Sequence, residues 1–409
     1  MRARRADIVV VGAGVVGACA ALALARLGAE VMVLERRAPG AKAPTAGVLG
    51  EDLRTLALSP ASIALLEELG VDEADWAAAG CAYSAMEVWD AEGTGSLRFT
   101  AQEVGVSELG RLVPHHPLAF ALWQTLALEG ITCITGASVT GMEARGSRTT
   151  VRLDDGSEVE AALVVAADGG ESRVRDLAGI ELSVEDTGQR AMATLAELER
   201  PHGDTAWQRF LPTGPLAFLP LPDRHGRHRV SVVWSLDTER AIAIEALDDA
   251  GFAAALGTAM EGRFGAVLAV DRRVGFPLRQ SHAETYRAPG VVLVGDAAHV
   301  LHPLAGQGMN LGLQDVRVLR DELRRPLSGL GRNLLGDPDL LYHYERIRRG
   351  ENAIMLRTMD ALKRLFAAED PGVRWLRNEG LRWVGDAGVV KRILLRQAMG
   401  LDSTAGEPA

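Results

Sequence analysis

One stretch near the start of the chain, DIVVVGAGVVGACAALALARLGAEVMVLER, constrains the fold more than any other. A β-branched run at Ile8–Val11 leads into a glycine-rich turn, an alanine-rich segment follows up to Gly28, and a second β-branched run at 31–34 ends in an acidic residue. This alternation is typical of a strand, a helix and a second, parallel strand. The stretch therefore predicts a βαβ unit of the kind that binds a dinucleotide.

The turn has the pattern Gly12-x-Gly14-x-x-Gly17. The first glycine permits a tight turn, the second lets the backbone approach a pyrophosphate, and the third lets the helix pack closely on the strand. The helix N-terminus adds free N–H groups and the positive end of its dipole. Glu35 closes the second strand, where its carboxylate can accept hydrogen bonds from a ribose diol, and Arg36 follows it. We predict that these five residues bind the cofactor.

The same N-terminus also fits a signal peptide or a membrane span. Three arginines within residues 1–5 precede an uncharged stretch, 8–25, that is long enough to cross a bilayer. The glycine turn inside that stretch favours the βαβ interpretation, because cleavage after the apolar run would remove the phosphate-binding loop.

Two later apolar runs end in turns with an aspartate. The first reaches Asp168-Gly169, and the second, VVLVGDAAHVLHPLAGQGMNLGLQD, reaches Gly295-Asp296 and continues into a loop and a helical pattern over 309–323. The loop carries a rigid proline and glycines that would let its backbone lie against a flat ring, and the helix N-terminus would face that ring. We predict that His299 and His302 make hydrogen bonds rather than act in catalysis.

The three motifs together resemble those of the flavoprotein monooxygenases of the para-hydroxybenzoate hydroxylase type, in the same order and at similar separations. The resemblance implies FAD as the cofactor, with Asp296 holding its ribityl hydroxyls and Arg54 placing the flavin or the nicotinamide. The residues predicted to bind the cofactor are Gly12, Gly14, Gly17, Glu35, Arg36, Arg54, Asp168, Gly169, Gly295, Asp296, Pro303, Gly306, Gln307, Gly308, Met309 and Asn310.

Three further blocks resemble the ubiquinone-biosynthesis aromatic hydroxylases, a branch of that family that includes the 2-polyprenyl-6-methoxyphenol hydroxylases. They are 54–70, 344–366 and 200–223, and the last contains the specific run Trp207-Gln208-Arg209-Phe210-Leu211-Pro212. The resemblance thus covers nearly the whole chain. One departure is His115-His116, where many members have an Asn-Arg pair before a helix, and this leaves the contacts at that point open.

The resemblance implies an α/β fold in which a Rossmann-like FAD-binding domain is interleaved with an antiparallel-sheet substrate domain and followed by C-terminal helices. The FAD-binding domain is predicted from 1–75, 105–180 and 275–330, and the substrate domain from 76–104 and 181–274. Alternating patterns at 81–100 and 227–236 agree with strands in the second domain. Residues 331–400 are predicted to be helical and 401–409 to be a disordered tail.

The implied chemistry is hydroxylation of a polyprenylphenol or quinol ring through a flavin C4a-hydroperoxide. NAD(P)H is expected to dock transiently as the reductant, with O2 as co-substrate, because no second GxGxxG follows a strand. The absence of CxxxxC, GxSxG and HExxH argues against disulfide reductases and hydrolases. The sequence does not indicate which residue would act as the base that activates the phenol, so the catalytic chemistry is assigned to the flavin.

The composition of the chain limits which partners it can bind. A net charge of -10 argues against nucleic acid, and the scattered Cys19, Cys81 and Cys133 indicate packed thiols with no metal site. The lipophilic aromatic substrate implies a cytoplasmic enzyme that meets the inner face of the membrane peripherally, with other ubiquinone-biosynthesis proteins as further partners. Residues 341–400 carry twelve Lys/Arg against seven Asp/Glu, and Lys391, Arg392 and Arg396 are predicted to face anionic lipid.

Two alternatives remain open. The first is another flavin enzyme on the same fold, such as a halogenase, a dehydrogenase or a double-bond reductase. The second is an FAD-stabilised subunit that holds a lipid intermediate for a biosynthetic assembly without reacting. The intact Gly-Asp loop residues argue against this non-catalytic subunit.

Overall fold

The computed structural model describes residues 4–40, 47–49, 52–93, 95–301, 307–368, 370, 372–374, 378–380, 388, 391–392, 395–396 and 399–400. Two predicted cofactor residues, Pro303 and Gly306, lie outside the described residues, as do His302 and the predicted tail at 401–409.

The strands are, in chain order, β1 (Arg4–Arg5), β2 (Ile8–Val11), β3 (Val31–Glu35), β4 (Thr55–Leu58), β5 (Cys81–Tyr83), β6 (Ala85–Asp90), β7 (Ser96–Thr100), β8 (Gly110–Pro114), β9 (Thr132–Thr135), β10 (Val139–Arg145), β11 (Arg148–Leu153), β12 (Glu158–Ala161), β13 (Leu163–Ala166), β14 (Leu182–Leu198), β15 (Thr205–Leu211), β16 (Gly214–Arg224), β17 (Arg227–Asp237), β18 (Val267–Val270), β19 (Val274–Ala283), β20 (Arg287–Ala288), β21 (Val291–Leu293) and β22 (His299–Val300).

The α-helices are α1 (Val15–Ala25), α2 (Pro60–Glu68), α3 (Glu73–Trp76), α4 (His115–Leu128), α5 (Arg173–Leu177), α6 (Thr238–Glu245), α7 (Asp249–Ala259), α8 (Gln307–Leu327) and α9 (Pro338–Ala367). Short 3₁₀ turns lie at Ala77–Ala79, Ala101–Val104, Gly295–Ala297 and Leu330–Leu334.

A six-stranded sheet carries the dinucleotide-binding motif. Its strand order is β20-β21-β13-β2-β3-β9, and every pair except β20-β21 is parallel. The strands β2, β13 and β21 are buried along their whole length, as expected of parallel strands covered on both faces. Because the three motif turns follow these adjacent strands, they meet at one edge of the sheet. The predicted α/β fold with a Rossmann-like sheet is confirmed.

A nine-stranded sheet forms the second large element. Its order is β22-β19-β14-β17-β16-β15-β6-β7, with β18 paired to β14, and β15-β6 is parallel while the other pairs are antiparallel. One face packs on α6 and α7 through an apolar cluster that includes Phe218, Val232 and Phe252. Residue 275, the predicted start of the last segment of the FAD-binding domain, lies at the beginning of β19. This strand belongs to the nine-stranded sheet, because its pairing with β14 continues to Ala283.

Two smaller sheets complete the fold. β4-β8-β5 packs on the nine-stranded sheet through an apolar cluster of Leu53, Leu112, Leu195 and Leu221, and β1-β12-β11-β10 flanks the six-stranded sheet. Among the described residues, no helix combines the length and apolar character needed to cross a bilayer.

Candidate cofactor site and its surroundings

The glycine turn has the shape that its sequence predicts. Gly12 has φ +96°, and a Cβ there would lie 2.4 Å from the carbonyl oxygen of Ala167. A Cβ on Gly17 would lie 1.9 Å from the carbonyl oxygen of Gly12. At Gly14, in contrast, a Cβ would meet no heavy atom within 4 Å. The first and third glycines are therefore required by the fold, while Gly14 borders open space in front of the N-terminus of α1.

Glu35 lies beside this turn. Its Oε2 accepts a hydrogen bond from the Ala13 N–H at 2.6 Å, and its Oε1 accepts one from the Arg37 N–H at 2.9 Å. The carboxylate is thus oriented at the end of β3, next to the open space, with lone pairs left for a ribose diol. Arg36 is exposed to solvent.

The Asp-Gly turn is held together by its own helix. Asp168 accepts hydrogen bonds from the Ser172 hydroxyl at 2.5 Å and the Val174 N–H at 3.1 Å, and Gly169 has φ +85°. Buried Arg175 donates to the carbonyl oxygens of Gly170 and Ala297, at 3.0 and 3.2 Å. Arg175 therefore ties the Asp-Gly turn to the Gly-Asp turn, a role that the sequence analysis did not predict.

The Gly-Asp turn presents its aspartate at an exposed position. Gly295 has φ +59°, and its N–H donates to Asp315 Oδ2 at 2.9 Å. The carboxyl of Asp296 is open to solvent but closely surrounded by protein, and this crowding raises its pKa above the usual range, while His299 and Arg54 oppose the rise. The structure therefore brings Arg54 into the electrostatic neighbourhood of Asp296.

Arg54 sits at the junction of β4 and β8. Its N–H donates to Asp52 Oδ1 at 3.0 Å, and its carbonyl oxygen accepts from the His115 N–H at 2.8 Å. Asp52 Oδ2 also accepts from the N–H of His116 at 2.9 Å, in the first turn of α4. Burial, assisted by the Arg54 charge, lowers the pKa of His115 to about 4, so this imidazole is neutral near pH 7. The departure at His115-His116 is thus in direct contact with Arg54 and Asp52.

His299 belongs to a buried ionic network. Its Nε2 lies 2.7 Å from Asp315 Oδ2, and Arg348 Nε donates to Asp315 Oδ1 at 2.7 Å, with all three side chains at most 1% exposed. Burial alone raises the pKa of Asp315, but the charges and hydrogen bonds of His299 and Arg348 hold it below its usual range. His299 is hydrogen-bonded, as predicted, and the network ties the Gly-Asp turn to α8 and α9.

Four predicted cofactor residues begin α8. Gly308 and Met309 are half-buried, while Gln307 is described only by its backbone. The side chain of Asn310 is buried: its Oδ1 accepts from the Ser59 N–H at 2.9 Å and the Ser62 hydroxyl at 2.8 Å, and its Nδ2 donates to the Ala57 carbonyl at 2.8 Å. These bonds hold the start of α8 against β4 and α2.

One group in the described part of the chain has metal-ligand chemistry. Candidate ligand atoms of Cys81, His202 and Asp204 lie within 4.8 Å of one another. Both nitrogens of His202 are engaged, with the Leu221 carbonyl at 3.0 Å and the Asp204 N–H at 3.1 Å, and burial raises the pKa of the Cys81 thiol to about 11. A metal would have to break these contacts, so the group is better explained as hydrogen-bonded packing.

An open glycine turn, an oriented acidic strand end and a crowded aspartate beside an arginine define the class: a dinucleotide-binding flavoprotein. These residues fit FAD, because Gly14 leaves space for a pyrophosphate and Asp296 presents an exposed carboxylate that can accept hydrogen bonds from hydroxyls. The FAD binding domain family matches residues 5–357.

The relatives define the branch. The chain is 37% identical to 3-demethoxyubiquinol 3-hydroxylase of Escherichia coli K12 over 97% of this chain and 98% of that protein, and 36% identical to ubiquinone hydroxylase UbiL of Rhodospirillum rubrum over 98% and 91%. A p-nitrophenol 4-monooxygenase, PnpA of Pseudomonas putida, shares the fold at a TM-score of 0.77 and 20% identity, covering 99% of this chain and 100% of that one. The chain belongs to the FAD-dependent aromatic hydroxylases of the ubiquinone-biosynthesis family.

Proposed function

We propose that this protein hydroxylates the aromatic ring of a polyprenylphenol or quinol intermediate of ubiquinone biosynthesis, using FAD, NAD(P)H and O2. One observation carries the proposal: the cofactor residues, through Arg54 near Asp296, lie beside the nine-stranded sheet. The side chains of Thr55 and Ser231 join the two, with 2.7 Å between their hydroxyl oxygens. The relatives named as ubiquinone hydroxylases support the substrate class.

When bound, FAD supplies the reduction of O2 and the delivery of one oxygen atom to the ring. The protein's own residues do the rest. Gly14 would leave space for the pyrophosphate and the N–H groups at the N-terminus of α1 would donate to it, Glu35 and Asp296 would accept hydrogen bonds from sugar and ribityl hydroxyls, and Arg54 would supply positive charge beside Asp296.

The test uses the purified FAD-loaded protein with NAD(P)H, a short-chain 2-prenyl-6-methoxyphenol and isotopically labelled O2. We expect a product that has gained one labelled oxygen atom on the ring, with NAD(P)H oxidation stimulated by the phenol. NAD(P)H oxidation without oxygen insertion would indicate another flavin oxidoreductase, and no oxidation at all would indicate a non-catalytic lipid-binding subunit. A deletion strain that accumulates a polyprenylphenol would identify the ring carbon.

We also propose peripheral contact with the inner face of the membrane through the C-terminal region. Arg392 and Arg396 are exposed, while Leu395 and Met399 pack inward against Ala101 and Leu109. Lys391, predicted to face anionic lipid with the two arginines, is instead 9% exposed and paired with Glu103 at 2.5 Å. The lipid-facing charge is therefore assigned to the arginines alone. Contact with other ubiquinone-biosynthesis proteins stays a prediction.

A further inference from the structure

The specific run from Trp207 to Pro212 has no role in the cofactor site, and the structure explains why its residues differ in chemistry. Along β15, Arg209 points towards α7, where it donates to the Ala259 carbonyl and to Glu261. Trp207 packs on the same side, with the Arg263 guanidinium 4.7 Å from its ring centre. Gln208 and Phe210 point the other way, because side chains alternate along a strand. Gln208 therefore lies on the face of the nine-stranded sheet opposite to α6 and α7.

Strand register aligns Gln208 with a row of small and apolar residues. Directly paired residues share a face of the sheet, and the pairings connect one residue from each of six neighbouring strands. We call this row the middle row; it consists of Val88, Gln208, Ala217, Val233, Ala193 and Val274. Gln208 is its one hydrogen-bonding side chain.

The middle row is flanked by two covered rows. On one side, Leu195 and Leu219 pack against Leu53 and Leu112 of the cofactor-binding side. On the other side, Phe210 stacks on Phe366 of α9, with 3.7 Å between ring centres. The residues between, Ala217, Val233 and Ala193, stay partly accessible although both neighbouring rows are covered. The row therefore forms the apolar floor of a groove.

The groove is open at one end. Val274 and Phe276, on β19, are each 40% exposed. Four strand spacings separate β15 from β19, which gives a floor of about 19 Å from Gln208 to Val274. That length exceeds one aromatic ring and suits a ring with an attached apolar chain.

Gln208 has an amide with unused hydrogen-bonding capacity. The residue is 8% exposed, and its side chain makes no hydrogen bond to any residue that the structure describes. Its amide atoms are not sealed inside the protein, so they face accessible space where a ligand can bond to them. Its carboxamide can both donate to and accept from a phenol, quinol or methoxy oxygen.

We propose that Gln208 positions the oxygen-bearing ring of the substrate, and that the middle row guides the attached apolar chain to the opening at Val274 and Phe276. The inference rests on the proposed function for its substrate class. Gln208 supplies the polar recognition, while Ala217, Val233 and Ala193 leave space that a larger side chain would fill.

The first test measures binding to the FAD-loaded protein by equilibrium dialysis, with 2-geranylphenol and with geranylbenzene, which lacks the ring hydroxyl. We expect Gln208→Met to weaken binding of the phenol about tenfold, the equivalent of about 1.4 kcal/mol, and to leave geranylbenzene within twofold, about 0.4 kcal/mol. The matched control is Gln280→Met, because Gln280 is equally buried on β19 but lies six residues, about 20 Å, beyond Val274. Equal loss for both ligands, or no loss for either, overturns the role of Gln208.

The second test blocks the groove. Ala193→Phe should weaken binding of 2-geranylphenol more than tenfold while phenol itself changes by less than about threefold, since only the chain has to cross Ala193. Unchanged binding of 2-geranylphenol in a folded variant would show that the chain leaves elsewhere. If the wild type binds 2-geranylphenol as expected but inserts no oxygen, the proposed function fails and the binding site stands.

Discussion

The contrast between Gly14 and Gly17 gives a sharp test of the cofactor site. A Cβ on Gly17 would lie 1.9 Å from the carbonyl oxygen of Gly12 and 3.0 Å from the Cβ of Ala167, so backbone would have to move. We expect Gly17→Ala to destabilise the FAD-free protein by about 3 kcal/mol, the upper range for overpacking. Gly14 has φ -63°, which any residue adopts, and its Cβ would face open space. Gly14→Val should therefore cost only about 1 kcal/mol, as a poorer helix N-cap.

The order of the two variants should reverse for FAD affinity, with Gly14→Val affected more strongly than Gly17→Ala. Valine at position 14 would fill the space in front of the N-terminus of α1, so we expect FAD affinity to fall more than about 100-fold, equivalent to about 2.7 kcal/mol. Denaturant unfolding of the FAD-free proteins measures the first quantity, and titration with FAD followed by visible absorbance measures the second. A folded Gly14→Val protein that purifies with full flavin content would refute the assignment of this turn to the pyrophosphate.

Four further predictions follow from particular contacts. Asp315→Asn should destabilise the protein by about 3–5 kcal/mol, because it leaves Arg348 buried without its counter-charge. The control is Arg364→Gln, which breaks an exposed ion pair and should change the unfolding free energy by less than about 0.5 kcal/mol in the same denaturation assay. His115 and His282 have pKa values of about 4, lowered mainly by burial, so between about pH 4 and 6.5 the unfolded chain binds protons that the folded chain does not. The free energy of unfolding should therefore fall as pH drops from about 6.5 towards 4. It should fall less steeply in a His115→Asn, His282→Gln double variant. The Arg392→Gln, Arg396→Gln double variant should sediment less with anionic vesicles, whereas Lys391→Gln should mainly lower thermal stability. Equal sedimentation of the wild type and the double variant would show that the two arginines do not bind anionic lipid. NAD(P)H should bind weakly by calorimetry in the absence of a phenol and reduce the flavin faster in its presence, and a tight binary complex would contradict a single dinucleotide site.

The sequence predicted those features that depend on neighbouring residues. The glycine turn, Glu35 at the end of β3 and the two aspartate turns are each encoded within a few positions, so their pattern is visible without the fold. The ties between motifs could not be predicted in this way. Arg175 reaches Ala297 across 122 positions, and Asp315 meets Arg348 across 33. Such contacts depend on how strands are ordered and helices are packed.

Lys391 shows the limit of charge patterning. Its place in a basic run indicated a surface residue, but whether a lysine faces outward depends on which side of its helix packs on the protein. The partner that buries it, Glu103, lies 288 positions earlier. Gln208 illustrates the same limit for strands: the run containing it was recognisable, but only the register separates its inward-facing residues from its outward-facing ones.

The buried Asp315 has a consequence for building chimeras within this family. Its carboxylate accepts hydrogen bonds from Gly295 of the Gly-Asp turn and from Arg348 of α9, and the same helix α9 covers Phe210 at the side of the groove. Exchanging residues 338–367 for those of a relative, in order to change substrate preference, would therefore also alter the support of the Gly-Asp turn. A workable exchange would transfer α8 and α9 as one cassette, so that the acid and its arginine come from the same parent.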